Sequence, residues 1–378
     1  RRCAGSLRLA RPNGLVATLL SRGQASIVCP SVPEDVARTK DAQLCGAGPF
    51  RIARFEAEKG VSLVRHDAYF RPGLPYLDGV ELTFSVRPQT QRYLLERGEI
   101  DLCRELSSAD ANLLRADPRW SRHARLVDSP RTSAIFLNTE RAPFDDPRVR
   151  RAVSFAVDPE VLQKVRADLR PIATVVPPAI PGHRTPGLVR RHDPQRALAE
   201  MAAAGYAFDP RTGRGGYPEE LEYLTVPDTF EQAAAEVYQQ QLRRVGLRVR
   251  LKLVSFQTYL AEVQARGRTQ LGWAGWHADY PDALTFFEPK LSGLAIGQVS
   301  QNTSFYANEE LDGLLARSRG VTDPRARDAL FSRAEEIVAH DAPWIPMTST
   351  RTLEILQPQL RGYEPSPLRT LDVTRAYF

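Results

Sequence analysis

No run of apolar residues in the 378-residue sequence is long enough to cross a bilayer as a helix. Recognisable catalytic phrases are missing too: there is no HExxH, no GxSxG, no Walker loop and no GxGxxG opening a helix. The four cysteines, Cys3, Cys29, Cys45 and Cys103, form no CxxC pair and have no histidine near them at metal spacing, so no metal or cofactor is expected. Isolated buried thiols are the expectation. A disulfide among Cys3, Cys29 and Cys45 stays open, because spacing does not set connectivity, and any such staple would lie before Arg131. Positive charge does not gather in a block: 51 Lys and Arg against 45 Asp and Glu give +6, spread along the chain, which argues against a nucleic-acid partner. The six histidines are scattered; His277 is singled out because it stands beside Asp279 and Trp276.

Hydrophobic residues make up 42% and charged residues 25%, the balance of an ordinary globular protein, and the length points to two domains. The most informative stretch runs from Arg131 to Asp158, RTSAIFLNTERAPFDDPRVRRAVSFAVD. Ser133 to Asn138 reads as a strand. Asp146 then offers a side-chain oxygen to the orphan amides of a helix, and Pro147 takes the first helical position, where its missing N–H costs nothing. That leaves the neighbouring Asp145 and Asp146 explained as a cap rather than as a general acid and base. Val149, Ala152, Val153 and Ala156 fall on one helical stripe, with Arg148, Arg150 and Arg151 expected on the wet side.

Elsewhere, Ala25 to Pro30 reads as a strand, after a strand and helix over Ser6 to Leu20. Gly46-Ala47-Gly48-Pro49-Phe50 is rich in turn residues, but period-two segments follow it, Phe50 to Phe55 and Val61 to Arg65, so a hairpin is expected and not a phosphate loop. Gln89 to Arg97 is helical with Gly98 as its cap, and Glu99 to Leu102 reads as a strand. Beyond Asp158, helices capped at Asp193, Ser255, Asn308 and Asp323 alternate with strands, the pattern of a sheet covered by helices. Leu247 to Val254 alternates apolar with Arg248, Arg250 and Lys252, which predicts a solvated basic face on a strand.

Leu271 to Asp282, LGWAGWHADYPD, places two of the four tryptophans and two carboxylates around one expected strand end. A core corner would account for the tryptophans. An indole wall beside a carboxylate also suits an apolar side chain flanked by an ammonium group, since a carboxylate can accept several N–H bonds and adds charge.

These phrases, in this order, resemble the family 5 extracytoplasmic solute-binding proteins, the peptide- and nickel-binding components of ABC importers. GAGPF, DAYFRPGLPYLDGV, GEID, FLNT…PFDDPRVRRAVSFAVD, GWHADYPD, SFYANEELD and APWIPM are each similar to a family phrase. The resemblance implies an α/β, two-lobed periplasmic-binding-protein-like (type II) fold with mixed sheets flanked by helices. Lobe one would comprise 1–133, lobe two 134–345, and 346–378 would return to lobe one as a final strand or two, with hinge strands near 131–136 and 344–347. Family members carry further residues ahead of the point matching Ser6, so the first lobe is expected to be incomplete here.

In function, the resemblance implies a monomeric, non-enzymatic binding protein of the periplasm or cell envelope. It would capture a peptide or other small molecule and hand it to an ABC transporter permease. Alternatives are a ligand-sensing domain of a larger signalling protein and a hydrolase on the same fold. Asp279 matches the aspartate that holds the ligand's α-amino group in oligopeptide-binding members. Trp276, Trp273, His277, Tyr280, Asn138 and Gln264 are the other expected ligand-binding residues. The arginines that help hold a peptide's carboxyl end correspond to Gln264 and Trp273, so the carboxylate clamp departs from the family pattern.

Overall fold

A computed structural model describes residues 8–22, 25–29, 45–104, 106–183, 192–297, 300–368 and 371–378. In chain order the strands are β1 (Phe50–Glu56), β2 (Gly60–Arg65), β3 (Gly79–Thr83), β4 (Leu102–Cys103), β5 (Ala124–Asp128), β6 (Arg131–Leu137), β7 (Leu169–Pro171), β8 (Phe208–Asp209), β9 (Arg214–Gly215), β10 (Leu221–Thr225), β11 (Val249–Leu253), β12 (Leu271–His277) and β13 (Trp344–Leu356). The helices are α1 (Val16–Leu20), α2 (Pro88–Arg97), α3 (Ser108–Ala116), α4 (Pro118–Ser121), α5 (Pro147–Ala156), α6 (Glu160–Val165), α7 (Pro194–Ala203), α8 (Thr229–Arg243), α9 (Phe256–Gln264), α10 (Leu284–Leu291), α11 (Glu309–Gly320) and α12 (Pro324–Asp341). By its internal contacts the chain divides into two compact units. One comprises the segment ending at Val16 together with Pro130–Thr350, the other Ala17–Ser129 together with Arg351–Phe378. The sequence placed the crossings at 133/134 and 345/346.

The larger unit is built on a mixed sheet in the order β11-β10-β12-β6-β13. β10 runs parallel to both β11 and β12, while β12–β6 and β6–β13 are antiparallel and β7 pairs with β13. Side chains alternate across the strands and so feed two cores. Phe136, Leu224 and Ala274 join Phe286, Leu311, Leu315, Phe331 and Ile337 from α10, α11 and α12. Ile135, Tyr223 and Leu271 join Val149, Met201, Tyr238 and Leu242 from α5, α7 and α8 on the other face. Each fully buried side chain of this size contributes roughly 1.5–3 kcal/mol.

The expected caps form: Asp146, Asp193, Asn308 and Asp323 each accept a backbone N–H of the helix that follows, as does Ser255. The α5 stripe is buried as expected. Arg150, expected on the wet side, is buried as well. It donates to the carbonyls of Phe144, Asp145 and Asp341, which replace the water it gives up. The basic face of β11 carries Arg250 and Lys252, both bridged to Glu222.

The smaller unit holds the antiparallel sheet β1-β2-β3 and the pairing of β4 and β5 with the second half of β13. Gly98 ends α2 at φ 74°, a left-handed conformation that favours glycine. The chain spends the next residues turning out of the helix, so the expected strand at 99–102 is confined to β4. The expected strand at 25–30 reduces to one bridge, Val28 with Gly46; Ser6, Cys3 and Pro30 lie outside the described residues. The return to this unit is made by the far half of β13 itself, and among its described residues the tail adds a bridge between Arg361 and Tyr377. Cys29 and Cys45 are joined as a disulfide, with Cα atoms 5.5 Å apart, which corrects the expectation of isolated thiols; Cys103 is buried outside that disulfide, and its thiol donates to Gln91 Oε1 at 3.2 Å.

Candidate ligand-binding site

Strands β10, β11 and β12 are parallel, so their carboxyl ends share one edge of the sheet. In open α/β sheets that edge is where ligands sit. The stretch expected to bind leaves β12 there. Ala278 N–H donates to the Pro130 carbonyl, and Asp279 N–H donates to the Thr285 hydroxyl, which fixes the turn backbone. Asp282 is buried and paired with Arg327 of α12 through both oxygens, and its Oδ1 also accepts from Leu284 N–H at the start of α10. The turn is therefore held from two helices, and Asp282 holds it.

Asp279 is exposed, and its carboxylate has no hydrogen bond or ion pair among the described residues. It lines a pocket of about 370 Å³ with Tyr280, Thr285, Glu288, Ser292 and Arg319, within the range of small-ligand sites. Glu288 pairs there with Arg319, and burial raises its carboxyl above the ordinary value. Burial, together with Glu288 and the nearby aspartates, pushes the Tyr280 hydroxyl up to about 12.

The tryptophans leave β12 in opposite directions, although both reach the core beneath α10. Their odd separation along β12 puts them on opposite faces of the sheet. The Trp276 indole packs on the core beneath α10, with the Lys290 ammonium 4.5 Å from its ring centre and its own Nε1 buried without a hydrogen-bond partner. Burial lowers Lys290 to about 8, while its ammonium still donates to the Gln301 carbonyl at 3.1 Å. Trp273 starts from the α8 face but packs against both cores. Its Nε1 donates to Ser133 Oγ at 3.2 Å, the Tyr259 ring is 5.4 Å away, and the Tyr259 hydroxyl donates to the Trp273 carbonyl.

The other expected residues scatter. His277 is exposed, and among the described residues its ring makes one hydrogen bond, to the Ala278 carbonyl at 3.2 Å. Asn138 is fully buried and spends both ends of its amide on backbone, donating to the Thr269 carbonyl and accepting from Glu140 N–H, so it shapes the corner after β6. Gln264 ends α9, where its carbonyl accepts from Ser300 N–H. The structure thus brings Asp279 and Tyr280 to one pocket, Trp276 to the core beside it, and Trp273 between the two cores.

Sequence reasoning missed two charged groups near Trp273. Arg131 opens β6 and its guanidinium lies 6.0 Å from the Trp273 ring centre. Glu231, in the first turn of α8, lies 3.6 Å from Arg131 Nη2. Burial raises Glu231 to about 7; Arg131 and Arg166 oppose the shift and Asp228 adds to it. Only the antiparallel register, which sets Arg131 opposite His277, brings Arg131 to this edge, and no local spacing rule encodes that.

The profile of the family described as "Bacterial extracellular solute-binding proteins, family 5 Middle" matches residues 6–298. The chain is 24% identical over 365 residues to the glutathione-binding protein GsiB of Escherichia coli K12, covering 94% of this chain and 69% of that protein. Among solved structures it is similar to HbpA2 from Haemophilus parasuis, with a TM-score of 0.86 and 20% identity over 97% of this chain and 72% of that one. It is also similar to the periplasmic binding protein DppA from Helicobacter pylori in complex with the peptide STSA, with a TM-score of 0.72 and 23% identity over 97% of this chain and 71% of that one. The α/β fold is that of these two-lobed binding proteins, and the chain belongs to the bacterial extracellular solute-binding proteins of family 5.

Proposed function

We propose that this chain captures a short peptide or a peptide-like molecule with a free amino end outside the cytoplasm and delivers it, uncleaved, to an ABC importer permease. The observation that carries the reading is Asp279: a carboxylate without a partner among the described residues, on a turn fixed by Asp282 and Arg327, lining a pocket of ligand size. An ammonium group would give that acid the N–H donors it lacks, and the charge would strengthen each bond. GsiB, by its name, binds glutathione, and DppA is seen with a peptide, which supports a ligand with peptide bonds and a free amino end. Tyr280 would line the same space, while Trp276, set in the core beneath the turn, would support it.

Native mass spectrometry of the protein with a pool of di- to tetrapeptides tests the proposal. Retention of intact peptides on the folded protein is expected. A protein that retains none of them, or that returns cleaved products, contradicts it.

A further inference from the structure

Around Trp273 the polar groups have bonding capacity that the protein leaves unused. The Arg131 side chain, 39% exposed, makes no hydrogen bond among the described residues. The 3.6 Å to Glu231 is an ion pair too long for a hydrogen bond, although the Glu231 side chain is only 12% exposed. Thr225 Oγ1, at the carboxyl end of β10 on the same face by strand alternation, is buried and has no hydrogen-bond partner. Buried polar groups are nearly always satisfied, so the buried Thr225 hydroxyl, beside a half-exposed guanidinium and a carboxylate that it meets only at ion-pair distance, marks a place where a partner belongs.

The aromatic plane beside them is held rigidly. Trp273 is pinned by Ser133 and Tyr259, and its ring lies over Gly275, where an added Cβ would come within 3.1 Å of the indole and 3.6 Å of Arg131 Nη2. Any side chain at 275 would fill the gap between ring and guanidinium. A guanidinium beside an indole keeps its N–H fork directed sideways, the geometry that takes a carboxylate through two parallel bonds.

We propose that Arg131 is a carboxylate-reading residue of the ligand site at this sheet edge, with Trp273 supporting the guanidinium and Glu231 as the resident partner that a ligand carboxylate displaces. This rests on the solute-binding reading above and adds the ligand's acidic end to it. Glu231 and a ligand carboxylate compete for one guanidinium, so Glu231 weakens the capture it adjoins. The buried tyrosines facing it, Tyr223, Tyr238 and Tyr259, carry no positive charge that could replace Arg131.

The test uses the full chain and native mass spectrometry with a di- to tetrapeptide pool, the same pool amidated at the carboxyl end, and succinate as a carboxylate without peptide bonds. The free-acid pool is expected to be retained at least tenfold better than the amidated pool. Arg131→Ala should bring the two to the same level, Arg131→Lys should restore part of the difference, and Glu231→Gln should widen it. Equal retention of acids and amides by the unaltered protein overturns the proposal, as does an Arg131→Ala variant that loses both pools alike. Retention of succinate but of neither pool, lost in Arg131→Ala, would remove the peptide reading and keep the carboxylate-reading role of Arg131; retention of none of the three overturns both.

Discussion

The Asp279 carboxylate and the Glu335 carboxyl show how burial separates a group that binds from one that braces. Asp279 is exposed and without a partner among the described residues, so Asp279→Asn should leave folding unchanged. It should weaken capture of any ligand with a free amino end by about tenfold or more, the loss of a charge-assisted hydrogen bond, read by calorimetry. Glu335, on α12, is 4% exposed and accepts from the N–H groups of Val175 and Val176, each at 2.9 Å. Burial raises its carboxyl to about 7 against the pull of those two amides. A folded value above the unfolded one means that the stability from this group is complete below about pH 4.3 and is lost as pH rises through about 7. Melting temperature should therefore fall between about pH 5 and pH 8. Glu335→Gln should remove from that fall an amount on the order of 3 kcal/mol, leaving the part due to Glu231, which burial also raises to about 7. An unchanged slope would show that Glu335 is not the group responsible.

At the scale of elements, the turn between β12 and α10 is a rigid mount for Asp279, and its rigidity comes from Asp282. The Asp282 and Arg327 side chains are 9% and 14% exposed, so removing the acid strands a largely buried guanidinium. Asp282→Ala should destabilise the protein by about 3 kcal/mol, measured by chemical unfolding, and should also weaken ligand capture. Loss of stability with unchanged capture would mean that the turn does not position Asp279. Much at this scale was legible in the sequence, because caps and period-two runs are local chemistry: Asp146-Pro147, Asp193-Pro194 and Asp323-Pro324 open helices where a side-chain oxygen meets orphan amides. What escaped is what depends on distant partners. Arg150 looks wet on a helical wheel, yet Phe144, Asp145 and Asp341 carbonyls surround it. The Cys29–Cys45 pairing and the meeting of Arg131 with Glu231 likewise follow from chain paths that no local spacing encodes. The opposed faces of Trp273 and Trp276 were implicit in their odd separation, once β12 is taken as a strand throughout.

For the whole molecule, the family match runs over residues 6–298, through the first segment of the smaller unit and into the larger one, where Asp279 stands at a sheet edge without a partner among the described residues. The central claim is that this acid recognises a ligand's ammonium group. Its most direct test is a calorimetric comparison of one retained peptide with its N-acetylated form, on the unaltered protein. The account predicts that acetylation, which removes the positive charge and leaves the rest of the peptide in place, weakens binding by about tenfold or more. Equal affinity for the two forms would contradict it.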